Sequence, residues 1–196
     1  MNHLLDFLLS VIYDNSSLHP DHLADLRRSG LSDETIARHK FRSVPPSMIP
    51  QLLGFDIPAV RSALLIPFPD PRGRFMDHVR MKIFPTLETP NGTIKYLQPR
   101  HSGVRLFFPL ATLPRVLEGR EPLWFIEGEK KSLAVAQLGL TAVGFCGIEG
   151  WHLSGSRALL ADFETIPLHG RVAELVPDGD VRTNADVARV ARPSRA

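Results

Sequence analysis

Period-two alternation marks the middle of the chain, and beyond residue 122 it gives way to short apolar runs separated by helical stretches. From Asp77 to Phe84, Val79, Met81 and Ile83 alternate with Arg80 and Lys82, which predicts a strand with one buried face. Ala63 to Phe68 is a compact apolar run, and Asp70-Pro71-Arg72-Gly73 after it is turn chemistry. Asn91-Gly92 signals a hairpin into Thr93–Leu97, and Val104 to Phe108 is a further apolar piece. Residues 1–43 read as helical. Asp21 to Ser29 forms one helix ended by Gly30, and Ser32 caps the next, with Asp33 and Glu34 in its first turn. This pair is read as a plain helical hairpin, because its turn has no base-reading signature.

From 122 onward, strand 123–126 leads into helix 129–138, ended by Gly139, and strand 140–145 runs to Gly147. Ser154 or Ser156 is expected to cap a helix through Phe163. Strand 172–176 follows, and another helix starts near Asn184 or Ala185. Strand–helix alternation with short loops predicts a parallel sheet with crossover helices, whose chemistry collects at the carboxyl ends of its strands. Glu127 closes the run Leu123–Ile126, and Asp178-Gly179-Asp180 closes Val172–Val176. Three carboxylates are thereby expected at one edge of a sheet. Held ~4 Å apart, each pair would repel by about 4 kcal/mol at an effective dielectric near 20, a cost that a divalent cation removes. Glu129 is read as a first-turn helix residue, Cys146 as a small buried hydrophobe, and Trp151 as a cap on the core.

Composition narrows the reading. A single cysteine excludes an internal disulfide and a cysteine-rich zinc site, and suits a reducing, cytoplasmic setting. Most of the 17 prolines fall between residues 45 and 122, which argues for strands and loops there. The apolar start, Met1 to Tyr13, is too short to span a bilayer, so no membrane partner is expected and the segment is read as a packing helix. Net charge is only +2 but is unevenly spread: residues 61–120 hold ten Lys/Arg against four Asp/Glu, and residues 121–180 hold four against nine. A basic half beside an acidic half fits a protein that grips phosphates with one and metal with the other. Arg80, Lys82, Lys95, Arg100 and Arg105 are candidates to line a nucleic-acid groove, and Lys130 and Lys131 are candidate phosphate ligands.

The order apolar strand–Glu127-Gly128–helix, strand–Gly, strand–Asp178-x-Asp180 resembles the Toprim domain, shared by bacterial replicative primases, topoisomerases and some nucleases. The upstream pattern Leu65-Ile66-Pro67-Phe68, Asp70-Pro71-Arg72-Gly73, Arg80, Lys95-Tyr96 resembles the basic subdomain that precedes Toprim in bacterial primases. Glu127-Gly-Glu-Lys-Lys131 and Asp178-Gly-Asp-Val-Arg-Thr-Asn184 are similar to the Toprim-like domain of uncharacterised plasmid and phage primase-type proteins. The resemblance implies an α/β fold of Toprim type, a Rossmann-like parallel sheet, preceded by a small basic α+β subdomain. The expected layout is a helical segment over 1–60, a basic strand-rich subdomain over 61–120, and a Toprim-like domain over 121–196 that stops short of the usual fourth strand.

The resemblance also implies that Glu127 is the acid/base residue or a metal ligand, with Asp178 and Asp180 binding Mg2+ or Mn2+. The implied function is that of a primase-like nucleotidyltransferase of a mobile element acting on DNA, taking single-stranded DNA and nucleoside triphosphates, with a replicative helicase as a candidate partner. The alternatives are a Toprim nuclease that cleaves phosphodiesters and a degenerate, non-catalytic module that binds nucleic acid or a replication partner. The sequence departs from the pattern by lacking a zinc-binding module and a Walker A loop, and by placing Pro177 directly before Asp178.

Overall fold

The computed structural model describes residues 3–90, 92–147, 150–152, 155–156 and 158–178. The chain divides into two compact units: one of Met1–Phe68 with Arg74–Gly103, the other of Pro69–Gly73 with Val104–Ala196.

The first unit opens with three helices, α1 (His3–Asn15), α2 (Pro20–Arg28) and α3 (Asp33–Arg38). Gly30 lies between α2 and α3 at φ 80°, and the Ser32 hydroxyl accepts from the Thr35 N–H at 3.2 Å, as the capping pattern predicts. The chain then forms strand β1 (Arg42–Val44), a short 3-10 turn, helix α4 (Ile49–Leu53), and strands β2 (Ser62–Pro69), β3 (Phe75–Thr89) and β4 (Gly92–Leu97). The strands lie in the order β1-β2-β3-β4, with β1 antiparallel to β2 and β3 antiparallel to β4. The Asp70–Gly73 turn closes through the Gly73 N–H to the Asp70 carbonyl at 2.9 Å, with Gly73 at φ 77°. Pro85 has no N–H for a ladder, and it sits in the irregularity of register between Lys82 and Leu87.

Alternation decides the two faces of this sheet. Ala63, Leu65, Val79, Met81 and Ile83 pack with Leu5, Leu9 and Ile12 of α1 and Leu52 and Leu53 of α4 in one buried core. Helix α2 meets residues of the opposite parity. His22 bridges Ser43 Oγ at 2.7 Å and Ser62 Oγ at 2.8 Å, and its ring stacks on Phe84 at 4.8 Å.

The second unit holds helix α5 (Leu113–Glu118), strand β5 (Leu123–Glu127), helix α6 (Glu129–Gln137), strand β6 (Ala142–Phe145), a 3-10 helix over Ala161–Thr165, and strand β7 (Ala173–Val176). Its sheet has the order β6-β5-β7, and both outer strands run parallel to β5. The α/β class stands as expected, with a three-stranded parallel sheet that follows the α+β region along the chain. Two local expectations change. Val104–Phe108 is not a full strand, but Phe107 exchanges two 2.8 Å backbone hydrogen bonds with Gly144, so a single bridge extends the β6 edge. Among the described residues of the stretch expected to form a helix capped at 154 or 156, a bridge joins His152 to Leu159, and only Ala161–Thr165 winds, as 3-10. The helix expected from Asn184 or Ala185 lies outside the described residues.

Candidate metal centre

Register positions the centre. Ile126 pairs with Gly144 on one side and with Val176, the last residue of β7, on the other, so β5 and β7 end within one residue of each other and Glu127, the last residue of β5, pairs with Phe145 at that edge. The Asp178 N–H donates to Glu127 Oε2 at 2.9 Å. Two residues 51 apart in sequence are thus neighbours at the carboxyl edge of a parallel sheet.

Gly128 makes the junction between Glu127 and α6. Its φ is 96° and ψ 141°, a region open essentially to glycine alone. No atom lies within 4 Å of where a Cβ would stand, so conformation rather than crowding requires glycine. The Gly128 N–H donates to the Phe145 carbonyl at 2.9 Å and its own carbonyl accepts from the Ser132 N–H at 3.1 Å, which ties strand end to helix start.

Helix α6 brings Lys131 to the same edge, one turn after Glu127. Side chains on a helix lean toward its N-terminus, and the Lys131 ammonium pairs with Asp178 Oδ1. Both side chains are about half exposed, 51% and 50%. Glu129 stands in the first turn of α6, as expected, and is buried there: it is 3% exposed, and its Oε1 accepts from the Cys146 thiol at 3.1 Å. Cys146 is accordingly a half-buried donor at the end of β6 rather than a buried hydrophobe.

Hard carboxylate oxygens, partly open to solvent and presented from two strand ends, are the donor set that Mg2+ takes, usually one or two carboxylates completed by substrate phosphates and water. Glu127 and Asp178 fit that description. Asp180, the third carboxylate expected here, lies outside the described residues. Among the described residues no group of three His, Cys, Asp or Glu is placed to hold a metal ion.

The basic candidates separate into two kinds. Lys82 donates to Asp25 Oδ1 at 2.5 Å, with the two side chains 16% and 9% exposed, so its charge is spent inside the first unit. Arg105 grips Asp162, whose carboxylate also accepts from the Leu106 N–H at 2.8 Å. Lys95 and Arg100 are exposed, Arg100 lying over the Phe55 ring at 5.3 Å. Arg80 lies over the Tyr96 ring at 4.9 Å. The partners Asp25 and Asp162 were not legible in the sequence: each is 57 residues from its cation, and no local spacing links them.

The face of the parallel sheet beside this edge carries an apolar cavity of about 280 Å³ lined by Phe125, Phe145, Trp151, Leu159, Phe163 and Leu175. Trp151 therefore lines a cavity wall. Among the described residues no helix is long and apolar enough to cross a membrane.

The sequence matches no family model and no curated protein. Solved structures do match. A DnaG primase catalytic domain bound to single-stranded DNA aligns over 96% of this chain and 66% of its own, with a TM-score of 0.53 and 19% identity. The Aquifex aeolicus primase, comprising its zinc-binding and RNA polymerase domains, aligns over 91% of this chain and 48% of its own, with a TM-score of 0.61 and 15% identity. The RNA polymerase domain of Mycobacterium tuberculosis primase DnaG, in complex with double-stranded DNA, aligns over 96% and 68%, with a TM-score of 0.60 and 13% identity. The fold is that of bacterial primase catalytic cores. At these identities the likeness is one of fold, and the chain spans two thirds or less of the first two structures.

Proposed function

We propose that the protein is a primase-like nucleotidyltransferase of a mobile element, acting on DNA with Mg2+ or Mn2+ held by Glu127, Asp178 and Asp180. The observation that carries this reading is the seating of Asp178 against Glu127 at the carboxyl edge of the parallel sheet, within a primase-type fold. When bound, such an ion lowers the pKa of an attacking 3′-hydroxyl and stabilises the leaving pyrophosphate.

The chain's own residues do the rest. Glu127 ligates the ion or accepts the hydroxyl proton. Gly128 keeps the backbone at the strand end bare of a side chain, so phosphates can approach. Lys130 and Lys131 face the incoming triphosphate from the first turn of α6. Lys95, Arg100 and Arg80 contact nucleic-acid phosphates from the first unit, with single-stranded DNA as template. A replicative helicase is the expected protein partner, and the cytoplasm the expected setting.

The test is incubation with labelled single-stranded DNA, with and without nucleoside triphosphates and Mg2+ or Mn2+. Extension that depends on nucleotides and is abolished by Glu127→Gln supports the reading. Shortening of the DNA instead assigns a nuclease to the same acids. A second reading has one observation in its favour: the Lys131 ammonium already neutralises Asp178, as in a non-catalytic module that binds DNA or a replication partner. That module would bind DNA in a salt-sensitive way and be indifferent to Mg2+ and to Glu127→Gln.

A further inference from the structure

We propose that Lys131 is a tethered counter-cation that competes with the divalent ion for Asp178, so that the lysine sets the metal affinity of the centre. This rests on the metal-binding reading above and adds a regulator to it.

The argument begins with position. Lys131 stands in the first turn of α6, where the helix macrodipole disfavours a cation. Its ammonium is nevertheless directed back to the strand end, onto Asp178 Oδ1. The backbone N–H of Asp178 is seated on Glu127 Oε2, so the carboxylate that the ammonium holds belongs to a residue anchored at the carboxyl edge of the sheet. An ammonium and a dication cannot share one carboxylate oxygen at contact distance without strong repulsion. Loading the ion onto Oδ1 therefore requires the lysine to withdraw from that oxygen, and an ion on Oδ2 still meets the repulsion of the ammonium across one carboxylate. With half of the side chain exposed, it has solvent to withdraw into. An exposed ion pair is weak enough to be displaced, and its loss is worth a factor of up to about 5 in an equilibrium constant.

The experiment is Mn2+ binding to the full chain, followed by calorimetry and by the electron paramagnetic resonance of the free ion. The proteins are wild type, Lys131→Met, Asp178→Asn and the double variant. Lys131→Arg serves as a charge-retaining control, and near-ultraviolet circular dichroism reports folding of each. The expected result is up to about 5-fold tighter binding by Lys131→Met, wild-type affinity within a factor of about 2 for Lys131→Arg, and about 10-fold weaker binding by Asp178→Asn. The gain from Lys131→Met must vanish in the Asp178→Asn background, because the competition is for that carboxylate. Unchanged or weaker binding by Lys131→Met overturns the proposal, as does an equal gain in both backgrounds, which would report only a general loss of positive charge. In those cases weakened binding by Asp178→Asn still leaves the metal centre standing. If Asp178→Asn binds Mn2+ as wild type does, the metal centre itself falls, and the proposal with it.

Discussion

Arg105 closes on the buried carboxylate of Asp162: Nε lies 3.0 and 2.9 Å from the two oxygens, and Nη2 lies 2.6 Å from Oδ1. The Asp162 side chain is 4% exposed and that of Arg105 38%. The pair joins the segment entering the Phe107 bridge to the 3-10 helix of the second unit. Arg105→Ala leaves the desolvated Asp162 carboxylate without its cation, and Asp162→Ala leaves the buried Leu106 N–H without its acceptor, so each is expected to cost about 2–3 kcal/mol. The double variant should cost less than the sum. Urea midpoints at constant m-value give the answer, and a loss below about 0.5 kcal/mol would show the pair to be ornamental.

The exposed cations should divide from the internal ones in DNA binding. Lys95→Ala and Arg100→Ala are expected to weaken single-stranded DNA binding and lower the salt slope by about 1 each, without lowering the melting temperature. Lys82→Ala should do the reverse, because it leaves the Asp25 carboxylate short of its partner at 2.5 Å. Fluorescence anisotropy across a salt series, beside thermal melts, separates the two behaviours.

Gly128→Ala places a Cβ on a backbone at φ 96° and ψ 141°. The expected cost is about 1–3 kcal/mol of stability. Because this residue joins Glu127 to α6, the same substitution should weaken Mn2+ binding more than a remote variant of equal stability cost does. Chemical denaturation and Mn2+ titration on the same preparation test both parts.

His39 is expected to make the first unit acid-sensitive. It is 1% exposed, and burial pushes its pKa down to about 4, although the Thr35 carbonyl that accepts from Nδ1 at 3.1 Å favours the protonated ring. The unfolded chain takes up this proton near the ordinary value of 6.5 and the folded chain only near 4. The contribution is therefore complete above pH 6.5 and is lost progressively as pH falls to about 4, by up to ~3 kcal/mol. Stability curves from pH 7.5 to 4.5 for wild type and His39→Gln should converge at the acidic end. Parallel curves would assign the acid sensitivity to other groups.

Much of this architecture was legible locally. Val79, Met81 and Ile83 alternate with Arg80 and Lys82, and all three apolar residues are fully buried, because strand geometry sends successive side chains to opposite faces. Ser32 and Gly30 punctuate the helices where their capping chemistry places them. Elements with weaker signals took other forms. The apolar Val104–Phe108 piece pairs only through Phe107, and among the described residues of the Ser154–Phe163 stretch the winding is confined to Ala161–Thr165.

By itself, then, the sequence determined that two apolar runs end in carboxylates, at Glu127 and Asp178, and that a glycine follows the first, because strand ends and turns leave short-range patterns. The tertiary structure alone decided what those residues meet. The near-level ending of β5 and β7, the Asp178 N–H on Glu127, and the ammonium of Lys131 on Asp178 follow from parallel register and helix placement. It also decided that Lys82 and Arg105 are neutralised within their own units while Lys95 and Arg100 face solvent. Those pairings join residues 47 to 57 positions apart. Packing of whole elements fixes such distances, and no periodicity along the chain encodes them.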